Sequence, residues 1–428
     1  MLESFLHFIW QYQFFNKAEL CSTSHSSINI ISPGYQNHNA GPDFSDAKIE
    51  IEDIKWSGNV EIHLKSSDWE AHKHDKDKAY DNVILHVVYE NDKEIHWSNG
   101  KAIPTIQLKN RIDAIMMDKW KVLVNNTNNI PCSGQFKEVD HLTKLSVKDK
   151  LLLERLERKA EEVGAICKKY DGDWETTAYQ LLARSLGLKV NAEPFLQLAK
   201  SIPFNVLKKN ADSRLKIEAL LFGQAGFLDR ITTDYQSELE LEYRFLAHKY
   251  QLISSKMELE QWKFARLRPP NFPTIRIAQF AAIICSNPNL FSSLLEVDSY
   301  KKAEKLLKNN TSAYWKNHYL FGKKNNRASS LGKSTIENII INTIAPILLS
   351  YGQSVDKQEF VERAIALLES TSPEKNAITR KWTELGEKAI SAYDSQALIE
   401  LYNNYCLKKK CLQCSIGMQL LKTNSTSK

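Results

Sequence analysis

The chain has 428 residues, which is too long for one ordinary hydrophobic core and favours two domains or a small domain with a long extension. With 43% hydrophobic and 25% charged residues, its composition is that of an ordinary soluble globular protein and not that of a disordered one. The 57 basic and 51 acidic residues leave a formal net charge of +6, which permits nucleic-acid binding without requiring it.

The cysteines and the N-terminal segment bear on the compartment. Seven cysteines in a chain of this length are too few for a disulfide framework. The apolar segment 2–15 is short and contains Glu3, His7, Gln11 and Gln13, so it is unsuited to spanning a bilayer, and no cleavable leader opens the sequence. We therefore expect a cytoplasmic protein without a membrane partner.

The first part of the chain alternates between helical and extended patterns. Apolar residues at helical spacing predict a helix over residues 2–15. β-Branched runs between turn signals predict six strands, over residues 28–31, 47–51, 59–64, 83–89, 94–98 and 105–108. Between the third and fourth strands, residues 68–81 suggest a helix capped by Asp68. This order predicts an α/β module over residues 1–124.

The pattern changes after this module. The polar, proline-bounded segment 125–139 predicts a linker. Residues 140–422 predict an irregular all-helical domain without a fixed repeat, and residues 423–428 a disordered tail. The predicted helices cover residues 147–169, 173–186, 192–199, 212–222, 234–250, 275–284, 299–307, 336–349, 357–368, 376–384 and 395–405. The expected fold class is therefore α+β.

Polar residues suited to metal chemistry concentrate between residues 39 and 92. Asp43 follows a Gly-Pro turn. Because alternate residues of a strand share a face, Glu61, His63 and Lys65 are expected to point the same way. Two carboxylates suffice to hold Mg²⁺ when water and a substrate phosphate complete its shell. Asp43 and Glu61 are therefore candidate metal ligands.

This arrangement resembles the core of the PD-(D/E)xK nuclease superfamily. The segment Gly41-Pro42-Asp43, a strand, Glu61-Ile62-His63 on the next strand, a helix and a further strand follow one another as in that core, over about the first 110 residues. The resemblance implies a mixed sheet flanked by helices, with Asp43 and Glu61 as ligands of Mg²⁺ or Mn²⁺. It gives the water-orienting role to residue 63, which is histidine here instead of lysine, and Lys65 is a candidate substitute.

The leading function is therefore metal-dependent hydrolysis of phosphodiester bonds in nucleic acid, with Asp43, Glu61, His63 and Lys65 as catalytic candidates. One alternative is a non-catalytic module that binds nucleic acid or protein, in which Asp43 closes a turn and the strand residues form a solvated face. A second alternative is a zinc hydrolase built on histidines and an aspartate. Further candidates crowd the same span: Asp68, His72, His74, Asp77, Tyr80 and His86.

Three cysteines near the C-terminus form a second candidate site. Cys406, Cys411 and Cys414 have the C-x₄-C-x₂-C spacing that suits an iron–sulfur cluster or zinc. Cys132 is the expected fourth ligand, with Cys21 or Cys285 as substitutes. Some nucleases of the resembled superfamily hold a cluster with one distant and three C-terminal cysteines. The alternative is a set of buried, inert thiols.

The chain as a whole resembles a bacterial domain-of-unknown-function family, number 2851. The segment Arg268-Pro-Pro-Asn-Phe272-Pro and the C-terminal cysteines contribute to this resemblance. This family implies no activity.

Overall fold

The computed structural model describes residues 3–37, 39–324 and 330–422. Leu2 and the predicted tail 423–428 lie outside these ranges. The chain divides into two compact units, one formed by residues 1–144 with 404–428 and the other by residues 145–403.

A mixed β-sheet is the centre of the first unit. Helix α1, Glu3–Gln11, precedes the strands β1 Ile28–Ser32, β2 Tyr35–Gln36, β3 Phe44–Ile51, β4 Ile54–Lys65, β5 Val83–Glu90 and β6 Thr105–Gln107. The sheet order is β1-β3-β4-β5-β6, and β2 also pairs with β3. β1, β3 and β4 are antiparallel, whereas β5 is parallel to both β4 and β6. The predicted α+β class, with a sheet-containing module first, is confirmed.

The crossover from β4 to β5 lies over one face of the sheet. It contains helix α2, Asp68–Ala71, and two 3₁₀ turns, His74–Lys76 and Lys78–Tyr80. Trp69 is buried in a cluster with Val83, Ile95 and Ile103, which anchors the crossover. Lys73 has a left-handed φ of 63°, so the chain reverses directly after α2. The single helix predicted over residues 68–81 is therefore wrong.

Other local predictions also need correction. Residues 94–98 form no strand, since His96 makes only an isolated bridge with Ala102. Helix α1 ends at Gln11 rather than residue 15, and Gln13 has a left-handed φ of 56°. Asp68 is the first residue of α2 and not its N-cap, and its carboxylate accepts a hydrogen bond from the Lys65 N–H.

Helix α3, Ala114–Asn125, follows the sheet, and its Trp120 stacks on Phe5 of α1 with ring centroids 4.6 Å apart. In the described residues of the second unit, the strands are those of one short hairpin, β7 His318–Leu320 and β8 Lys323–Lys324, and the other regular elements are helices and helical turns. Its helices are α4 His141–Lys169, which starts in the first unit, α5 Trp174–Leu186, α6 Ala192–Ser201, α7 Phe204–Lys209, α8 Arg214–Gln224, α9 Asp234–Lys249, α10 Pro273–Ser286, α11 Leu290–Leu295, α12 Tyr300–Leu307, α13 Ala313–Asn317, α14 Lys333–Ile339, α15 Ala345–Ser354, α16 Gln358–Ser370, α17 Ala377–Glu384 and α18 Ala392–Glu400.

The C-terminal segment returns to the first unit. A π-helical turn, Leu401–Cys406, continues α18, and a 3₁₀ turn, Cys411–Gln413, leads into helix α19, Ser415–Lys422, which packs against α3. The large helical region predicted after the sheet is confirmed. Among the helices described here, none combines the length and the apolar character that crossing a membrane would need.

We expect Gly58→Ala to destabilise the sheet that carries the candidate site. A Cβ at this position would lie 2.5 Å from Ile84 Cγ2 and 2.7 Å from the Asn82 carbonyl oxygen, so β4 and β5 would have to move apart. Overpacking of this kind costs about 1–3 kcal/mol in the free energy of unfolding.

Gly134→Ala is the matched control, because a Cβ there has no heavy atom within 4 Å. We expect it to change the free energy of unfolding by less than about 0.5 kcal/mol. Urea denaturation of both variants measures the difference, and equal stabilities would contradict the close approach at Gly58.

Candidate metal centre

Strand register brings four predicted site residues to one face of the sheet. Phe44 pairs with Val60, which sets Asp43, just before β3, beside Glu61. In the parallel β4–β5 pair, Glu61 is opposite His86. Alternate residues of β4 share a face, so His63 lies beside both Glu61 and His86.

Two hydrogen bonds from backbone N–H groups to side-chain oxygens join Asp43 to the segment Glu61-Ile62. The Asp43 N–H donates to Glu61 Oε2 at 3.0 Å, and the Ile62 N–H donates to Asp43 Oδ2 at 3.0 Å. Glu61 is only 5% exposed, whereas the Asp43 side chain is 24% exposed. The two carboxyl groups that the sequence singled out therefore meet at one point of the sheet, one of them buried.

Burial dominates the electrostatics of this pair. Burial, together with the negative charge of Asp43 as the second cause, raises the pKa of Glu61 to about 9. Burial likewise lowers the pKa of His63 to about 3, with the neighbouring histidines as a second cause. Without a bound cation, both groups are therefore uncharged at neutral pH.

Two imidazoles lie near Glu61 Oε1, and a third imidazole contacts one of them. His74 Nε2 lies 3.2 Å from this oxygen and His63 Nε2 lies 3.6 Å from it. His63 Nε2 is also 3.1 Å from His72 Nδ1. One nitrogen of each of these three histidines lies within 4.8 Å of the others, a spacing that suits a single metal ion.

The imidazoles run from the core to the surface. His86 is fully buried, and its Nε2 lies 2.8 Å from His63 Nδ1. Burial lowers the pKa of His86 well below its usual value, so this ring is neutral. His72 is exposed at the other end, so solvent and ligands reach the cluster from that side.

Aromatic side chains of the crossover hold His74 in place. Tyr80 stacks on its ring with centroids 3.7 Å apart, and Trp69 meets it edge-on. Burial and the nearby carboxylates raise the pKa of Tyr80 to about 12, so its hydroxyl keeps its proton. The candidates Tyr80 and His74 therefore contact each other in the folded chain.

Helix α1 contributes two residues that were not among the candidates predicted from the sequence. His7 Nε2 lies 3.2 Å from Asp43 Oδ2. Glu3 is close enough that its pKa is raised, first by burial and then by the charge of Asp43. The spacing of Glu3 and His7 was the available signal, because residues four apart in a helix lie on the same face.

Three predicted candidates take other places. Lys65 is exposed at the end of β4, and no ion pair joins it to Asp43 or Glu61 within the described ranges. Asp68 accepts the backbone hydrogen bond from Lys65, and Asp77 accepts one from the Ala79 N–H. Both aspartates therefore stabilise turns of the crossover.

The donor set decides which ions fit. Three imidazole nitrogens beside a carboxylate suit Mn²⁺, Fe²⁺ or Zn²⁺, whereas Mg²⁺ prefers oxygen ligands throughout. Glu61, His63, His72 and His74 are the residues that would hold such an ion, with Asp43 next to them.

The cysteines that are candidate metal ligands lie elsewhere in the first unit. Cys132, Cys406, Cys411 and Cys414 line one small cavity, whereas Cys21 and Cys285 do not line it. None of the seven cysteines, which all lie within the described ranges, forms a disulfide.

Comparison with known proteins gives one match. Residues 3–377 match the family described as Protein of unknown function (DUF2851). The chain belongs to this family. Neither the curated proteins nor the solved structures contain a match to it. The membership expected from the sequence is thus confirmed, and since the family description names no activity, any function of this DUF2851 member has to be argued from its site.

We expect Glu61 to make a contribution to the stability of the metal-free protein that falls as the pH rises from about 5 to 9, and Glu61→Gln to remove this contribution. The folded pKa of Glu61, about 9, exceeds the ordinary value of 4.5, so the folded state keeps a proton that the unfolded chain releases. Rising pH through this window therefore favours unfolding, and glutamine abolishes the effect.

Urea denaturation in the presence of a chelator, at several pH values, measures this difference. The wild type should lose stability relative to Glu61→Gln between these pH values. Parallel pH profiles of the two proteins would contradict a buried carboxyl group that holds its proton.

Proposed function

We propose that this protein is a metal-dependent phosphodiesterase that acts on nucleic acid. The observation that carries the proposal is the meeting of Asp43 and Glu61 beside the three imidazoles of His63, His72 and His74. Two carboxyl groups and several imidazoles in one partly buried site form a donor set that suits a divalent cation. Such an ion would let the Glu61 carboxyl group ionise beside Asp43.

The metal would supply a nucleophilic hydroxide from bound water and would stabilise charge on the phosphate. Glu61 Oε1 is the central ligand, because His63 Nε2 and His74 Nε2 both approach it. Asp43 is fixed by the Ile62 N–H and is well placed to bind the ion or an ordered water. The exposed His72 lies where substrate would enter.

A buried hydrogen bond orients one of these ligands. His63 Nδ1 contacts His86 Nε2, and this contact fixes which nitrogen of His63 faces Glu61. Orientation of a ligand imidazole by a second group is common in metal sites. His86 is therefore a positioning residue in this proposal, and His7 plays the same part for Asp43.

Support for a nucleic-acid substrate comes from the order of elements around the site. Asp43 precedes a strand, Glu61 lies on the antiparallel neighbour, a helical crossover follows, and the next strand is parallel. This is the order that the sequence shares with the PD-(D/E)xK nuclease core. The site departs from that core in its histidines, and for this reason we propose Mn²⁺ or a similar ion rather than Mg²⁺.

We expect Asp43→Asn and Glu61→Gln each to lower Mn²⁺-dependent cleavage of mixed single- and double-stranded nucleic acids by at least about 100-fold. Each variant keeps the shape of the side chain but removes the charge that binds the ion. Mg²⁺ should support less cleavage than Mn²⁺ because of the imidazole ligands.

Asp53→Asn is the matched control, because Asp53 is an exposed turn residue between β3 and β4. It should cleave like the wild type. Unchanged cleavage in Asp43→Asn and Glu61→Gln would contradict the proposal, and absence of cleavage with retained binding of nucleic acid would favour the non-catalytic module.

A zinc hydrolase that acts on other esters or amides is the second candidate. The observation that favours it is the triple of histidine nitrogens within 4.8 Å, since catalytic zinc is often held by three histidines with water in the open position. Metal replacement separates the candidates. Hydrolysis of small esters with Zn²⁺, without cleavage of nucleic acid by any metal, would favour this candidate.

A further inference from the structure

Four cysteines from two distant parts of the sequence converge in the first unit. Cys132 lies in the segment after α3, whereas Cys406, Cys411 and Cys414 lie around the turn before α19. All four line one small cavity, together with Pro131, Tyr405, Lys410 and Gly417. Chance would rarely bring four of a chain's seven thiols to one cavity.

The four thiols line the same cavity and are largely shielded from solvent. Cys132, Cys406 and Cys411 are buried, and Cys414 is half-buried. Burial raises the pKa of Cys132 to about 12 and that of Cys411 to about 11, and in both the charge of neighbouring cysteines adds to the rise. The pKa of Cys406 is raised by the same causes, including all three other cysteines.

Gly417, which lines the cavity, has no space for a side chain. A Cβ at Gly417 would lie 2.1 Å from the Cys411 carbonyl oxygen. Helix α19 therefore approaches the turn at Cys411 as closely as a backbone permits. Lys409 donates a hydrogen bond to the Val124 carbonyl oxygen at 2.6 Å, which fixes the turn against α3.

The segment that carries Cys132 is also fixed. Asn126 donates from its amide nitrogen to the Pro131 carbonyl oxygen at 2.7 Å, and Ile130 and Phe136 are buried on either side. The two segments thus meet as an ordered pair of turns. Turns that present cysteines from both sides of a cavity are the usual construction of a thiolate metal site.

We infer that Cys132, Cys406, Cys411 and Cys414 ligate an iron–sulfur cluster. The site goes beyond the proposed function, since it lies on other residues than the Asp43–Glu61 centre and needs no substrate. Each cysteine binds iron as a thiolate and releases its proton on binding. The cluster joins the segment after α3 to the C-terminal turn, so it stabilises the first unit.

Two features favour a cluster over a single zinc ion. The C-x₄-C-x₂-C spacing of Cys406, Cys411 and Cys414 is the one that plant-type ferredoxins use for iron–sulfur ligation. The positive charge of Lys408, Lys409 and Lys410, between the first two of these cysteines, would offset the negative charge of a four-thiolate cluster.

Metal analysis of the full-length protein, purified without oxygen, tests the inference. We expect about two or four iron atoms and matching acid-labile sulfide per chain, with the visible absorption of an iron–sulfur cluster. Cys414→Ser should lose most of the iron and the absorption, and as the half-buried member it should disturb packing least. Its thermal midpoint should fall as well.

Cys21→Ser is the matched control, because Cys21 is a half-buried free thiol in the same unit but does not line the cavity. It should keep the iron content of the wild type. One zinc per chain without sulfide, or no metal bound by folded wild type, would overturn the inference. The wild-type measurement decides this even if a cysteine variant fails to fold, and it is independent of any nuclease assay.

Discussion

The candidate centre depends on one constraint, the burial of the Glu61 carboxyl group beside that of Asp43. No lysine or arginine forms an ion pair with either group in the part of the chain that the structure describes. Their partners are backbone N–H groups and imidazoles, and burial lowers the pKa of the His63 imidazole so that this ring is neutral. Isolated buried charge is costly, so Glu61 keeps its proton when no cation is bound, and a divalent cation would stabilise its charged form.

The sheet imposes this arrangement and the crossover completes it. Antiparallel pairing of β3 with β4 sets Asp43 beside Glu61, and parallel pairing of β4 with β5 sets His86 there too. Parallel pairing requires a crossover, and the crossover carries His72 and His74 back over the same face. The buried side chain of Trp69 anchors the crossover, so a packed hydrophobic cluster supports the exposed end of the site.

Much of this was predictable from local rules. The period of two in β4 placed Glu61 and His63 on one face, and the C-x₄-C-x₂-C spacing with Cys132 named the four cysteines that line one cavity. The contact of His7 with Asp43 was not predicted, because it joins a helix to a distant turn. The crossover failed as a predicted helix because tertiary burial of Trp69 and the left-handed Lys73 override its periodicity.

The most direct test of the account is the position of a bound ion. Anomalous diffraction from crystals soaked in Mn²⁺ locates the metal and its ligands together. We expect a peak within about 2.0–2.4 Å of a Glu61 oxygen and of nitrogens from His63, His72 and His74. No peak at this cluster, with the four side chains ordered, would contradict it.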